Sequence, residues 1–212
     1  MKKLLILLFS WPIIFFTQNT IKSSIWEKQS YDKYSHENIN KLDEIHQLID
    51  LKKIDYPLLH ATIFFLTNKE RAKRKKKIIS WNHNLEIAAF NHSKVMAEQK
   101  NFSHTSRIKK RKEPENRAEI AGITNPFIAE NIAKTTVNSQ DTYLSLSKKI
   151  VAQWMNSPGH KSNILSKDAF ELGVGVFIIL EKQVYYIYST QNFQWFHMAK
   201  CIDSKDPSPP GW

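Results

Sequence analysis

The stretch Gln153–Leu165, Q-W-M-N-S-P-G-H-K-S-N-I-L, constrains what this chain can fold into more than any other. An amphipathic run ends at Asn156-Ser157-Pro158-Gly159, where Pro and Gly stop a helix. Ser157 before Pro158 reads as the N-cap and first position of a second, short helix, which sets His160 on a defined backbone. The Ser157 hydroxyl is expected to be taken up by that cap, which makes it a poor nucleophile. Two other pieces offer partners for His160: Phe102-Ser103-His104-Thr105 and Ala129-Glu130-Asn131-Ile132-Ala133. Two histidines and a glutamate this far apart make a site only if the fold gathers them. Glu130 lies between small and apolar residues and is costly to bury alone, so it needs a partner or else bonds backbone amides and pins its loop.

Periodicity supplies the frame for these pieces. Leu58–Lys76 reads as a helix with Leu59, Ile63, Phe64 and Leu66 apolar. Trp81–Lys100 is the clearest helix, capped by Asn82 or Asn84 and burying Leu85, Ala88, Ala89 and Met96. His92 falls on that same face and reads as a hydrogen-bonded core residue, while His83 is exposed at the helix start. Phe102 reads as the plug that anchors the following loop, and Arg107–Gly122 as a charged loop or short helix pinned by Arg117. Tyr143–Met155 is a further helix with Leu144, Ile150, Val151 and Trp154 inward. Glu171–Leu180 and Val184–Phe193 are strands around Glu181-Lys182-Gln183, a turn without Gly or Asn-Gly. Their near-continuous apolarity suits a sheet covered on both faces, and Gly173 and Gly175 permit close backbone approach at a cleft floor. Upstream, Leu42, Ile45, Leu48 and Ile49 predict an amphipathic helix over Asn38–Leu51, in an extension that docks on the domain. His36 and His46 in that extension read as solvated.

The chain begins with Lys2-Lys3 and an apolar run, Leu4–Phe16, of about 13 residues, short for a span and suited to a signal-peptide core. Residues 1–17 are therefore expected to be a signal peptide, with bulky Phe15 and Phe16 leaving an uncleaved anchor as the alternative. The expected location is secreted, periplasmic or at the cell surface. Cys201 is the one cysteine, so no intramolecular disulfide holds the core. A chain of 212 residues is long enough to rely on apolar burial instead. Its net charge of +11 is concentrated in Lys73–Lys77 and Arg107–Lys112. No nucleic-acid motif accompanies these runs, so nucleic acid is not the expected partner. Attraction to an anionic cell surface or acidic glycan is, beside the plain reading of a solvated helix end and loop.

Five phrases in order, F-S-H-T-S, A-E-N-I-A, W-M-N-S-P-G-H-K-S-N-I-L, E-L-G-V-G-V and Y-S-T-Q-N-F, resemble the CAP superfamily. Its members include the SCP domains, cysteine-rich secretory proteins, antigen 5 and pathogenesis-related-1 proteins, and the wording is nearest the short bacterial members. The resemblance covers Asn68 to Phe193. It implies an α+β fold, the α-β-α sandwich of CAP domains, over 57–196, preceded by the 18–56 extension and followed by a Pro-rich tail, 197–212. It also implies that Asn68 and Arg71, in T-N-x-x-R, close the first domain helix as structural residues. In the family His104, Glu130 and His160 match three members of a cleft tetrad, and Ser157 stands where larger members carry a second glutamate.

Two imidazoles can hold Zn²⁺ or another divalent ion, with His104 and His160 as ligands and Glu130 or water completing the shell. The first functional reading is an exported binding module whose His/Glu cleft takes a metal ion, lipid or peptide. The alternative is a metal-assisted hydrolase with Glu130 as base, although H-E-x-x-H and G-x-S-x-G are absent. In a third reading the three residues are a hydrogen-bonded cluster that supports the cleft. Whether the protein is an enzyme stays open at this point.

Overall fold

The computed structural model describes Ser24 and residues 26–195. The expected signal peptide, the Pro-rich tail and Cys201 lie outside the described residues. A short helix α1 (Ser30–Lys33) opens the described chain. It is followed by α2 (Tyr56–Lys73), β1 (Ser80–Trp81), α3 (His83–Glu98), α4 (Pro114–Ile120), β2 (Ile128–Val137), α5 (Tyr143–Asn156), α6 (Pro158–Leu165), β3 (Glu171–Glu181) and β4 (Val184–Gln194). The sheet order is β1-β3-β4-β2. β4 runs antiparallel to both β2 and β3, and β1 is parallel to β3.

The two-residue period of the strands divides the side chains between two helical layers. On one face, Leu172, Val174, Val176 and Ile178 of β3 join the main core with Leu59 and Ile63 of α2 and Ile150 and Trp154 of α5. On the other face Gly173 and Gly175 lie under α3, where a Cβ would collide with the backbone nitrogens of Glu86 and Phe90. The close backbone approach expected at these glycines is therefore made by a helix, not at the floor of a cleft. This is the α+β, helix-sheet-helix arrangement that the sequence implied.

Local chemistry sets the helix ends. Asp55 accepts from Leu58 N–H at 3.1 Å to cap α2, and Pro57 sits in its first turn. Asn82 caps α3, accepting from Asn84 and Leu85 N–H. Arg71, 1% exposed, donates to Lys77, Ile164 and Ser166 carbonyls, so it ties the segment after α2 to the C-terminal end of α6 and satisfies a carbonyl there. Asn68 exchanges two hydrogen bonds with Ile79. Both residues are structural, as expected.

The outer edge of β3 beyond β1 is closed by side chains of α2. Val176 N–H donates to His60 Nε2 at 3.1 Å, and Ile178 N–H donates to the Tyr56 hydroxyl at 3.3 Å. Such caps deny a pairing edge to other chains.

Three further expectations need correction. Asn38–Leu51 is not an amphipathic helix: it forms two 3₁₀ turns, Ile39–Lys41 and Asp43–His46. It buries Ile39, Ile45 and Ile49, and leaves Leu48 55% exposed. Neither turn has a side-chain cap, and a short uncapped helix is marginal. The extension instead gains by threading isoleucines into the core and bonding Ile49 N–H to the Asp141 carbonyl before α5. Of its histidines, His46 is exposed and His36 is half-buried. Phe102 is no plug: it is 49% exposed, its ring edge-on to Tyr188. Third, Ser157 holds the N-cap position of α6, yet its side chain makes no capping hydrogen bond.

Candidate functional site

Glu130 stands in the middle of the site. In β2 it pairs with Asn192 of β4, on the face covered by α3, and is 8% exposed. The unpaired carboxylate that made it conspicuous in the sequence has its partner in Arg117 of α4. Arg117 Nη2 donates to Glu130 Oε2 at 2.7 Å, with both side chains almost wholly buried. Asn192, with its amide oriented so that both ends bond, donates to Glu130 Oε2 at 3.1 Å and accepts from Ala89 N–H at 3.3 Å. His104 Nδ1 lies 2.9 Å from Glu130 Oε1. Burial by itself would raise the Glu130 pKa, but the His104 hydrogen bond and the charge of Arg117 outweigh it and hold the carboxyl below its usual range.

Arg117 also explains how a loop histidine is positioned. Its Nη1 donates to the Arg111 and Lys112 carbonyls, and Nη2 donates to the His104 carbonyl at 3.1 Å. The segment between α3 and α4 is thus drawn onto one guanidinium, and His104 is held over the carboxylate. The expected pinning role of Arg117 holds, and its ion pair with Glu130 adds to it.

The His104 ring is half-exposed. Hydrogen-bonded through Nδ1 to a carboxylate, it donates Nδ1–H, so that in the neutral ring the lone pair is on Nε2, the arrangement that orients imidazole ligands in metal sites.

His160 is carried near His104 by α6. Asn131, beside Glu130, donates to the His160 carbonyl at 3.1 Å, and Asn163 donates to Asn131 Oδ1 at 2.9 Å and to the Glu130 carbonyl at 3.4 Å. These bonds stitch α6 to β2. Burial lowers the His160 pKa, and the nearby His104 lowers it further, so the two rings lie within electrostatic reach of each other.

His92 of α3 is a hydrogen-bonded core residue, 1% exposed, as its place on the apolar face predicts, and it also adjoins Glu130. Its Nε2–H donates to the Ser103 carbonyl at 3.1 Å and lies 3.7 Å from Glu130 Oε1. Burial pushes its pKa down to about 4, so the ring is neutral at pH 7 and its contact with Glu130 is not an ion pair. It forms part of the wall behind the carboxylate. The signal for it was a polar residue on an apolar stripe. Asn192 carried no comparable signal, because its role comes from strand register alone.

The donor set can be weighed against a metal ion. Among the described residues no group of three or more His, Cys, Asp or Glu side chains is disposed to hold one. Glu130 is already committed to Arg117, Asn192 and His104, which leaves two imidazoles. Two imidazoles are too few for a closed structural site, which takes four ligands.

The model of the cysteine-rich secretory protein family, CAP, matches residues 64–193, more than half of the chain. The chain belongs to this family. It is 34% identical over 131 residues to an uncharacterised membrane protein, YlbC, of Bacillus subtilis, covering 62% of this chain and 33% of that protein. It is also 34% identical over 110 residues to the uncharacterised YkwD of the same organism, covering 52% and 39%. The chain thus spans well under half the length of the curated relatives it matches. Among solved structures it is similar to an extracellular SCP-domain protein of Bacillus anthracis, with a TM-score of 0.54 and 27% identity over 69% of this chain and 43% of that one. An outer surface protein of Borrelia burgdorferi shares the fold, with a TM-score of 0.51 and 16% identity over 64% of this chain and 92% of that one. Among the described residues no helix is long and apolar enough to cross a membrane.

Proposed function

We propose that this protein is an exported binding module whose cleft, between His104 and His160 and backed by Glu130, takes a small ligand through the two imidazoles. A divalent ion such as Zn²⁺ is the first ligand to consider, with a lipid or peptide group as the other classes. The observation that carries this reading is the 2.9 Å contact between His104 Nδ1 and Glu130 Oε1. It leaves the lone pair of the neutral, half-exposed ring on Nε2.

The same geometry disfavours the hydrolase. A general base must be free to take a proton, whereas Glu130 already serves three donors and its pKa is held low. Glu130 is better read as the residue that orients His104. The exposed basic runs Lys73–Lys77 and Arg107–Lys112 add attraction to an anionic cell surface. Export is supported by the apolar leader and by the likeness to the extracellular protein of Bacillus anthracis.

Calorimetric titration of Zn²⁺ into the full chain, beside a His104→Ala, His160→Ala variant, tests the metal reading. One saturable site, lost in the variant, is the expected result. No heat from either folded protein retires the metal and leaves lipid and peptide ligands to be tried.

A further inference from the structure

A cavity of about 60 Å³ opens between α3 and α4, and His92 and Arg117 line it. Both residues are almost wholly buried, at 1% and 4% exposure. Most of their nitrogens are already bonded. His92 Nε2 donates to the Ser103 carbonyl, and the two Arg117 Nη groups donate to the His104, Arg111 and Lys112 carbonyls and to Glu130. The remaining nitrogen of each, His92 Nδ1 and Arg117 Nε, has no hydrogen-bond partner among the described residues. With their other nitrogens turned to Glu130 and the loop after α3, Nδ1 and Nε are the polar edges these two residues keep for the cavity. Burying one polar atom without a partner is costly, and here two complementary ones meet at a single cavity.

The two atoms need opposite partners. With its proton on Nε2, His92 offers a lone pair at Nδ1, while Arg117 Nε carries a hydrogen. A carboxylate would set its oxygens against the Nδ1 lone pair, and an ammonium would meet a guanidinium. The Arg117 charge is in any case balanced by Glu130 at 2.7 Å. A neutral carboxamide answers both atoms, its N–H donating to Nδ1 and its carbonyl accepting from Nε–H. Much of the remaining lining is apolar. Ala88 is buried within, and Ile87 and Ile120, 37% and 55% exposed, stand at the mouth. Val95 and Ala121 are half-buried beside them. The volume admits a few waters or one small head group, and an apolar substituent on that head would cover the two isoleucines.

We infer that the cavity between α3 and α4 binds a small neutral carboxamide through His92 Nδ1 and Arg117 Nε–H, with the ligand's apolar substituent on Ile87, Val95 and Ile120. The inference goes beyond the cleft reading: it uses neither His104 nor His160 as a contact and requires no metal. The two sites are nonetheless adjoined, because the Arg117 that faces this ligand also holds the His104 carbonyl and Glu130.

The test is an amide-resolved NMR titration of the full chain with benzamide in EDTA, with acetophenone and benzoate alongside. Acetophenone keeps the carbonyl and replaces the amide nitrogen with a methyl group, and benzoate replaces the head with a charge. Benzamide should give saturable shifts at Ile87, Asn91, Ile120 and Ala121, with each analogue at least fivefold weaker. Ala121→Leu, which narrows the cavity from a half-buried position, and Ile120→Ser, which strips its mouth, should each weaken binding at least fivefold without lowering Tm. His104→Ala should leave it unaltered. An absence of saturable shifts up to the solubility limit of benzamide would leave the cavity to water and overturn the inference. Acetophenone binding as tightly as benzamide overturns it too, as does equally tight benzoate, which would mark attraction to Arg111 on the cavity lining. Binding unaltered by both cavity variants does the same. The EDTA and the His104→Ala arm keep this outcome separate from that of the zinc titration.

Discussion

The Arg117 guanidinium and the Glu130 carboxylate form a buried ion pair at 2.7 Å, and the same Arg117 nitrogen also holds the His104 carbonyl at 3.1 Å. One charged group thus neutralises the carboxylate and positions the histidine that the carboxylate orients. The pair's value to stability is a matter of balance, since desolvating two charges can cost as much as their attraction returns. Its value to the site is geometric, because it fixes where His104 sits and which nitrogen of the ring carries the lone pair.

Arg117→Met should therefore be far more damaging than the loss of one hydrogen bond. It leaves a carboxylate buried with one charge partner removed, and the expected destabilisation is about 3–5 kcal/mol. Urea denaturation of the two proteins measures it. A loss below about 1 kcal/mol, typical of exposed pairs, would contradict the burial of the pair.

Acidification should weaken the fold before carboxylates in general are protonated. His92 has a folded pKa of about 4 against an ordinary value of 6.5. Between those values the unfolded chain binds a proton that the folded chain does not. Stability from this residue is complete above about pH 6.5 and is lost as pH falls toward 4, by about 3 kcal/mol in all. Glu130, whose folded pKa is depressed, contributes stability above its unfolded pKa that is lost as pH falls through the folded value, extending the decline. Urea midpoints at pH 7.5, 6 and 5 test this. His92→Gln, which keeps a donor for the Ser103 carbonyl, should flatten the slope, and a wild-type midpoint constant from pH 7 to 5 would refute the assignment.

The β3–β4 turn stores strain that can be removed. Lys182 and Gln183 have φ of 46° and 67°, where side-chain-bearing residues cost roughly 1–2 kcal/mol each and two-residue hairpins favour Asn-Gly. The double change Lys182→Asn, Gln183→Gly should raise stability by about 1 kcal/mol and Tm by a few degrees. A drop in Tm on differential scanning calorimetry would count against the turn geometry.

Gly175→Ala should be among the most damaging single-methyl additions in the chain. The new Cβ meets the Phe90 backbone nitrogen, so α3 must lift from the sheet, at a cost of about 1–3 kcal/mol or more. Because α3 also carries His92, amide shifts around Glu130 should change in the same variant. Gly159→Ala, where a Cβ meets nothing within 4 Å, is the control and should be near neutral.

The sequence carried the main helices and the two long strands, because helical periodicity and Pro-Gly punctuation are local signals, whereas His104, Glu130 and His160 were singled out together through the resemblance to the family. It did not carry the 38–51 segment, where Leu42, Ile45, Leu48 and Ile49 mimic a helix while tertiary burial selects Ile39, Ile45 and Ile49. Nor did it reveal Asn192 as a partner of Glu130, since that contact comes from β2–β4 register between distant segments. His92 was legible as buried and its neighbourhood was not: an inward histidine looks the same whether a carboxylate or an aliphatic wall faces it. Phe102 shows the opposite failure, an aromatic residue after a helix that stays half-exposed over Tyr188.

Glu130 holds His104 through Nδ1, which leaves Nε2 as the free nitrogen of the neutral ring. Long-range ¹H–¹⁵N correlation spectra of the imidazole rings at pH 8 test it most directly. The expected result is a His104 ring protonated at Nδ1 with an unprotonated Nε2, whose ¹⁵N resonance moves on addition of Zn²⁺. In Glu130→Gln the tautomer preference should weaken. A His104 ring protonated at Nε2 in the native protein would contradict the account.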